Sequence, residues 1–80
     1  MTKKIIQLQH APSKTLLTIH QIKGGHGIQQ RLQVMGIRVG QQITLVSKQP
    51  FRGPITIKVN GRAITIGRGM ATKILVEVIS

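Results

Sequence analysis

A strictly alternating segment on either side of one Asn-Gly pair constrains the fold of this 80-residue chain more than any other feature. Within residues 54–60, Ile55, Ile57 and Val59 alternate with polar positions, the pattern of a β-strand with one buried face. Asn60 and Gly61 follow, and both tolerate the positive φ that a type I′ turn requires. The alternation resumes after Gly61, so the sequence predicts an antiparallel hairpin.

Short apolar runs elsewhere predict that the rest of the chain is also mainly β. We expect strands at residues 15–22, 42–49, 54–60, 62–67 and 73–79, and one helical turn at residues 67–71. About five short strands are too few for an ordinary two-sheet sandwich, whereas bent strands that close into a small barrel bury one face and remove exposed edges. The sequence therefore predicts a small barrel in a single domain that spans residues 1–80.

Five of the nine glycines lie between Lys23 and Ile43, where they flank a predicted short helix. Within that helix Ile28, Leu32 and Met35 stand at i, i+4 and i+7, which places them on one face. A helix this short is not stable alone, so we expect it to dock on the barrel through this apolar face.

Two of these glycines are predicted to end the helix and to turn the chain into the next strand. With Gly36 as the left-handed closing residue, Leu32 and Ile37 make the apolar contact of a Schellman motif. Gly40 then falls at the position of a type II turn, over residues 38–41, that requires positive φ.

The other three, Gly24, Gly25 and Gly27, precede the helix. No Ser, Thr, Asp or Asn stands there as an N-cap, so the first helical amides lack a side-chain partner. With Lys23 beside them, these amides could receive a carboxylate or phosphate from a partner. The alternative is a loop whose amides bind water. The stretch lacks the Gly-Lys-Ser/Thr ending of a nucleotide-binding phosphate loop.

The segments "RLQVMGIRVGQQI" and "GPITIKVNGRAITIGRGMATKI" resemble the FeoA family, the small ferrous iron transport protein A. The resemblance covers residues 15–78, and residues 1–14 match weakly. It implies an SH3-like β-barrel with a short inserted helix. It also implies a cytoplasmic accessory or regulatory protein that acts with ferrous iron transporter B, a membrane protein with a cytoplasmic GTPase domain.

The charge balance favours anionic partners. Seven lysines and five arginines face one acid, Glu77, and the net charge is +11. Nucleic acid is the rival partner, although sequence-tolerant binders of single strands stack bases on aromatic residues and this chain has only Phe51. A solvated basic surface without a partner is the other interpretation. No segment approaches the ~20 apolar residues that cross a bilayer, so we expect a cytoplasmic protein that is not inserted in the membrane.

Neither a metal site nor an enzyme active site is predicted. The chain has no cysteine, and its three histidines have only Glu77 to complete a ligand set. Ferrous sites usually combine two histidines with a carboxylate. No carboxylate pair or Ser-His-Asp set is present, and we expect no cofactor. Four arginines could assist phosphoryl transfer in a partner, and the sequence favours none of them: Arg31, Arg38, Arg52 and Arg68.

The sequence therefore predicts an interaction module with one docking surface, which includes the glycine-rich approach at residues 23–27, the outer helix face at Gln30 and Arg31, and the exposed loop at residues 51–53. The predicted partner-binding residues are Lys23, Gly24, Gly25, His26, Gly27, Gln30, Arg31, Phe51 and Arg52. Phe51, between Pro50 and Arg52, has the composition of an interface anchor. The alternative is that its ring covers one end of the barrel.

Overall fold

An antiparallel sheet accounts for most of the regular structure in this computed structural model, which describes residues 4–79. Its strands are β1 (Lys4–Gln7), β2 (Thr15–Ile22), β3 (Gln42–Lys48), β4 (Ile55–Val59), β5 (Arg62–Ile66) and β6 (Ile74–Val78). The helices are α1 (His26–Val34), α2 (Arg68–Ala71) and a 3-10 turn at Leu8–His10. The mainly β, SH3-like fold predicted from the sequence is confirmed.

The strand order is β1-β6-β2-β3-β4-β5, and every neighbouring pair is antiparallel. Bulges between Ile19 and Gln21 and between Leu45 and Ser47 shift the register, and bulges of this kind bend a strand. The predicted closure of the sheet is wrong. Among the described residues β1 takes the free edge of β6, so the sheet ends at β1 and β5 instead of joining β6 to β5.

The sixth strand, β1, was not predicted from the sequence, and neither was the 3-10 turn that follows it. The two adjacent isoleucines of β1 do not alternate with polar residues, so no period-two pattern marks this strand. Ile5 is exposed and Ile6 is partly buried, as in an edge strand that covers little of the core. Its position depends on pairing with β6, in the register Ile6 opposite Val76.

The core lies on the inner face of the bent sheet. Ile55 and Ile57 are fully buried, as the alternation predicts, and they join one apolar cluster. The other strand residues of that cluster are Leu17, Ile19, Ile22, Ile43, Leu45, Val59, Ile66, Ile74 and Val76. Burial of this one face is what selects the register of each strand.

The hairpin between β4 and β5 has the turn that Asn-Gly favours. Asn60 has φ 51° and Gly61 has φ 80°, the two positive angles of a type I′ turn. Val59 pairs with Arg62 across it. The turn therefore fixes the register in which Ile55 and Ile57 enter the core.

Helix α1 docks on the core and ends in a Schellman motif. Leu32 is buried, with Ile28 and Met35 partly buried against the same cluster. Gly36 has φ 85°; the Ile37 N–H donates to the Leu32 carbonyl at 2.9 Å, and the Gly36 N–H to the Gln33 carbonyl at 3.0 Å.

The chain then reverses into β3 through a tight turn at residues 38–41. Gly40 has φ 89°, and the Gln41 N–H donates to the Arg38 carbonyl at 3.1 Å. The positive φ belongs to the third residue of the turn, as in type II. This turn holds α1 close to the sheet that it covers.

Candidate functional site

The start of α1 is held by its neighbours but carries no side-chain cap. Gly25 is the N-cap residue, and no side chain bonds to the first amides. The Gln29 side-chain amide instead donates to the Ile22 carbonyl at 2.7 Å, and the Lys23 N–H donates to the Lys73 carbonyl at 2.7 Å. These bonds fix the helix start against the ends of β2 and β6.

The three glycines before and within the first turn do not share one role. Gly24 has φ 117°, a backbone conformation that side chains rarely adopt, and a Cβ there would also make a tight contact of 3.0 Å with the Ile28 Cδ1 atom. A Cβ on Gly25 or Gly27 would meet nothing within 4 Å. Gly25 and Gly27, with the exposed His26 between them, leave the surface open at this end of the helix.

A groove of about 420 Å³ runs along the outer side of α1, and we call it the α1 groove. It is lined by Gly27, Gln30, Arg31, Val34 and Met35. Val34 is 84% exposed, a large apolar side chain that contributes little to the core. The groove therefore combines apolar contacts from Val34 and Met35 with hydrogen-bond donors from Gln30 and Arg31.

Three of the predicted partner-binding residues, Gly27, Gln30 and Arg31, meet in the α1 groove. Val34 was missed because it falls outside the i, i+4, i+7 stripe that points to the core. Its position outside the stripe could have identified it, because an apolar residue on the outward side of a short helix cannot pack in the core and is exposed to a partner.

Phe51 lies at the tip of the β3–β4 hairpin and is 99% exposed. The interpretation of Phe51 as a cover over the barrel end is wrong, because a ring with this exposure shields nothing. Phe51 and Arg52 both have positive φ, 59° and 61°, and the Gly53 N–H closes the turn on the Pro50 carbonyl at 3.1 Å. Bulky residues rarely adopt this conformation.

Glycine is required at position 53 because the Gln49 side chain, on the other side of the same hairpin, lies very close to it. A Cβ on Gly53 would lie 2.6 Å from the Gln49 Cβ atom, a distance that real side chains do not reach. The Gln49 N–H also donates to the Pro54 carbonyl at 3.1 Å. The strained tip with Phe51 and Arg52 is therefore fixed by the residues at its base.

The structure does not bring all the predicted partner residues into one site. Arg52 lines a separate cleft with Gln9, His10, Arg68, Gly69 and Thr72. This cleft and the α1 groove have no lining residue in common. The prediction of one docking surface thus resolves into two regions of the molecule.

The three histidines lie on different elements, and each is exposed. His10 ends the 3-10 turn, His20 lies on β2 and His26 begins α1. Within residues 4–79 no group of three or more His, Cys, Asp or Glu side chains is arranged to hold a metal ion. Glu77 lies on β6 opposite Ile5 and Thr18.

Neither of the helices in the described part of the chain has the length and apolar character needed to span a membrane.

Comparison with known proteins identifies the family. The FeoA domain matches residues 6–78. A Methanocaldococcus jannaschii protein described as a candidate Fe(2+) transport protein A is 42% identical over 59 residues, which cover 74% of this chain and 70% of that protein. The crystal structure of the iron uptake regulatory protein FeoA has a TM-score of 0.86 at 29% identity, covering 95% of this chain and 99% of that one. A FeoA-like protein from Clostridium acetobutylicum gives 0.85 at 29% identity, covering 100% of this chain and 92% of that one. The chain belongs to the FeoA domain family.

Proposed function

We propose that this protein is an accessory protein of ferrous iron uptake that docks on the cytoplasmic part of ferrous iron transporter B. Membership of the FeoA family and the relatives named for Fe(2+) transport and iron uptake regulation support this assignment. The protein acts in the cytoplasm, at the inner face of the membrane where its partner sits. It works as an interaction module, through contacts and not through catalysis.

The α1 groove is the observation that carries the docking proposal. An exposed apolar side chain, Val34, stands beside the partly buried Met35 and between polar residues that can satisfy a partner's hydrogen bonds. Interfaces are commonly built in this way, with apolar anchors inside a polar rim. Arg31 adds a cation, so the matching segment of the transporter carries an apolar side chain next to an acidic one.

The glycine-rich approach to α1 extends this surface. Gly25 and Gly27 leave the first turn unobstructed, and Lys23, Gly24 and His26 form the rest of the approach. A carboxylate at the edge of the docked segment would meet exposed backbone amides and a lysine here. Phe51 and Arg52 provide a second contact, separate from the groove, in which the fully exposed ring enters a pocket of the partner.

Matched valine substitutions test the docking surface. Val34→Arg places a bulky charge in the α1 groove, and Val39→Arg makes the same change at another exposed valine, 61% accessible, that lines no part of this groove. Affinity for the cytoplasmic part of transporter B, measured by biolayer interferometry, is expected to fall about tenfold or more for Val34→Arg only. Equal affinities for both variants would contradict docking through the groove.

Nucleic-acid binding is the alternative, and the net charge of +11 favours it. Phe51 is the one aromatic residue available for stacking, so binding would depend on phosphate contacts and would weaken steeply with salt. Mobility shifts with single-stranded RNA over a salt series separate the two functions. Tight RNA binding at physiological salt, without affinity for the transporter, would favour the alternative.

A further inference from the structure

A basic cleft of about 530 Å³ lies outside the α1 groove, and of its lining residues only Arg52 belongs to the docking proposal. Its lining residues come from three distant segments: Gln9 and His10 from the 3-10 turn, Arg52 from the β3–β4 hairpin, and Arg68, Gly69 and Thr72 from α2 and its end. No acidic residue lines it, and the acid of the chain, Glu77, lies on β6. The cleft therefore has an uncompensated positive charge.

Arg68 provides the strongest indication of a ligand. Its side chain is half-buried, and its Nη2 atom makes a long bond of 3.4 Å to the Gln49 carbonyl. Its Nη1 atom is closed off from solvent and has no acceptor among the described residues. Buried donors are almost always paired in proteins, so the unpaired nitrogen shows that the Arg68 guanidinium has hydrogen-bonding capacity that the described residues do not use.

Arg52 adds a second guanidinium, on a backbone position that the hairpin turn fixes. Its φ of 61° belongs to the strained hairpin turn, which the Gly53 N–H closes on the Pro50 carbonyl. Backbone strain that the surrounding structure maintains is concentrated at functional sites in proteins. Lys48 stabilises the wall that Gln9 contributes, because its Nζ atom donates to the Ala11 carbonyl at 2.8 Å and to the Gln9 carbonyl at 3.4 Å.

We propose that this cleft, which we call the phosphate cleft, binds a phosphate group. Two guanidinium forks present several planar donors, and phosphate has enough oxygens and charge to engage both at once. The His10 imidazole and the Thr72 hydroxyl are further hydrogen-bonding groups on the walls. A carboxylate has two oxygens and one charge, and it would leave one guanidinium without a counter-charge.

The size of the cleft indicates that the phosphate carries a substituent. A volume of about 530 Å³ exceeds that of a bare phosphate ion and falls in the range of small-molecule sites. The phosphate can belong to a soluble ester or to a phospholipid headgroup. Among the described residues the cleft and the α1 groove share no lining residue, so phosphate binding does not depend on docking in the groove. Arg52, which also belongs to the second transporter contact, is the one residue that both proposals use.

Titration of the labelled full chain with inorganic phosphate and pyrophosphate, followed by nuclear magnetic resonance at constant ionic strength, tests the site. We expect saturable shifts at the amides of His10, Gly69 and Thr72. Arg52→Gln should weaken binding about tenfold, since it removes charged hydrogen bonds from an exposed side chain that does not support the fold. Arg62→Gln, an equal charge change at an exposed residue of β5, should bind like the natural protein.

Arg68→Lys is a second variant that keeps the charge but loses the fork, and it too should weaken binding. Shifts that spread over the surface without saturating, or equal affinities of the Arg52 and Arg62 variants, would overturn the proposal. Sedimentation with phosphatidylglycerol vesicles then identifies the source. Selective loss of vesicle binding by Arg52→Gln assigns the phosphate to a lipid, and equal vesicle binding by both variants assigns it to a soluble ester.

Discussion

At the residue scale, glycine positions show which constraints are local and which come from the fold. Gly36, Gly40 and Gly61 have positive φ, and each follows a pattern that sequence alone reveals, a helix end or a turn. Gly24 and Gly53 were not predicted for their actual reasons. Those reasons are the positive φ of Gly24 and the close approach of the Ile28 and Gln49 side chains, which depend on how the chain packs.

Gly36→Ala should lower the free energy of unfolding by about 1 kcal/mol, because an alanine at φ 85° is strained. A Cβ there meets nothing within 4 Å, so no clash adds to this cost. Gly27→Ala is the control, since its Cβ also meets open space but its φ is not positive. Thermal melting should show a lower midpoint for the first variant and an unchanged or higher one for the second.

Substitutions of Phe51 should separate transporter binding from the stability of the fold. Phe51→Ala should leave the melting midpoint unchanged, because the ring contacts no core, while it weakens binding to the transporter. Phe51→Gly should raise the free energy of unfolding by up to about 1 kcal/mol, because glycine relieves the strain at φ 59°. A large loss of stability in Phe51→Ala, measured by denaturant unfolding, would show that the ring packs after all.

At the element scale, the strands with strict alternation were predicted to within a residue or two, and β1 was not predicted at all. Alternation records burial of one face, which β4 has and the edge strand β1 lacks. The open edge of the sheet escaped prediction for a related reason. Strand β6 pairs with β1 and β2, and these pairings join segments that are far apart in the chain. No local sequence pattern predicts them.

Leu32 is the element-scale test of helix docking. Leu32→Ala removes a fully buried side chain and should lower the free energy of unfolding by about 2–5 kcal/mol. Val34→Ala, two residues away on the exposed side, should change it by less than about 0.5 kcal/mol. Urea unfolding monitored by circular dichroism compares them; equal losses would mean that α1 does not dock through Leu32.

At the scale of the whole molecule, the candidate sites were predicted only in part. Gln30 and Arg31 are neighbours in sequence, so their shared groove could be anticipated from the helix. The phosphate cleft joins His10, Arg52 and Arg68, which are far apart in the chain. They meet through the packing of α2 against the 3-10 turn and through the approach of the β3–β4 hairpin, whose Gln49 carbonyl accepts a bond from Arg68. Such a cluster leaves no periodic signal in the sequence.

The net charge predicts how docking responds to salt. A chain of charge +11 that meets an acidic partner gains attraction over a distance that salt shortens. Raising sodium chloride from about 50 mM to about 500 mM should therefore weaken transporter binding about tenfold, mainly through slower association. Surface kinetics at each salt concentration measure this. An association rate that is independent of salt would contradict an electrostatic contribution.

The central claim is that the outer side of α1 is where this FeoA-family protein meets the iron transporter. Hydrogen–deuterium exchange of the full chain, with and without the cytoplasmic part of transporter B, measures this directly. The account predicts slower exchange over residues 23–35 in the complex and little change over the hairpin at Asn60-Gly61. Unchanged exchange over residues 23–35 at saturating transporter would contradict it.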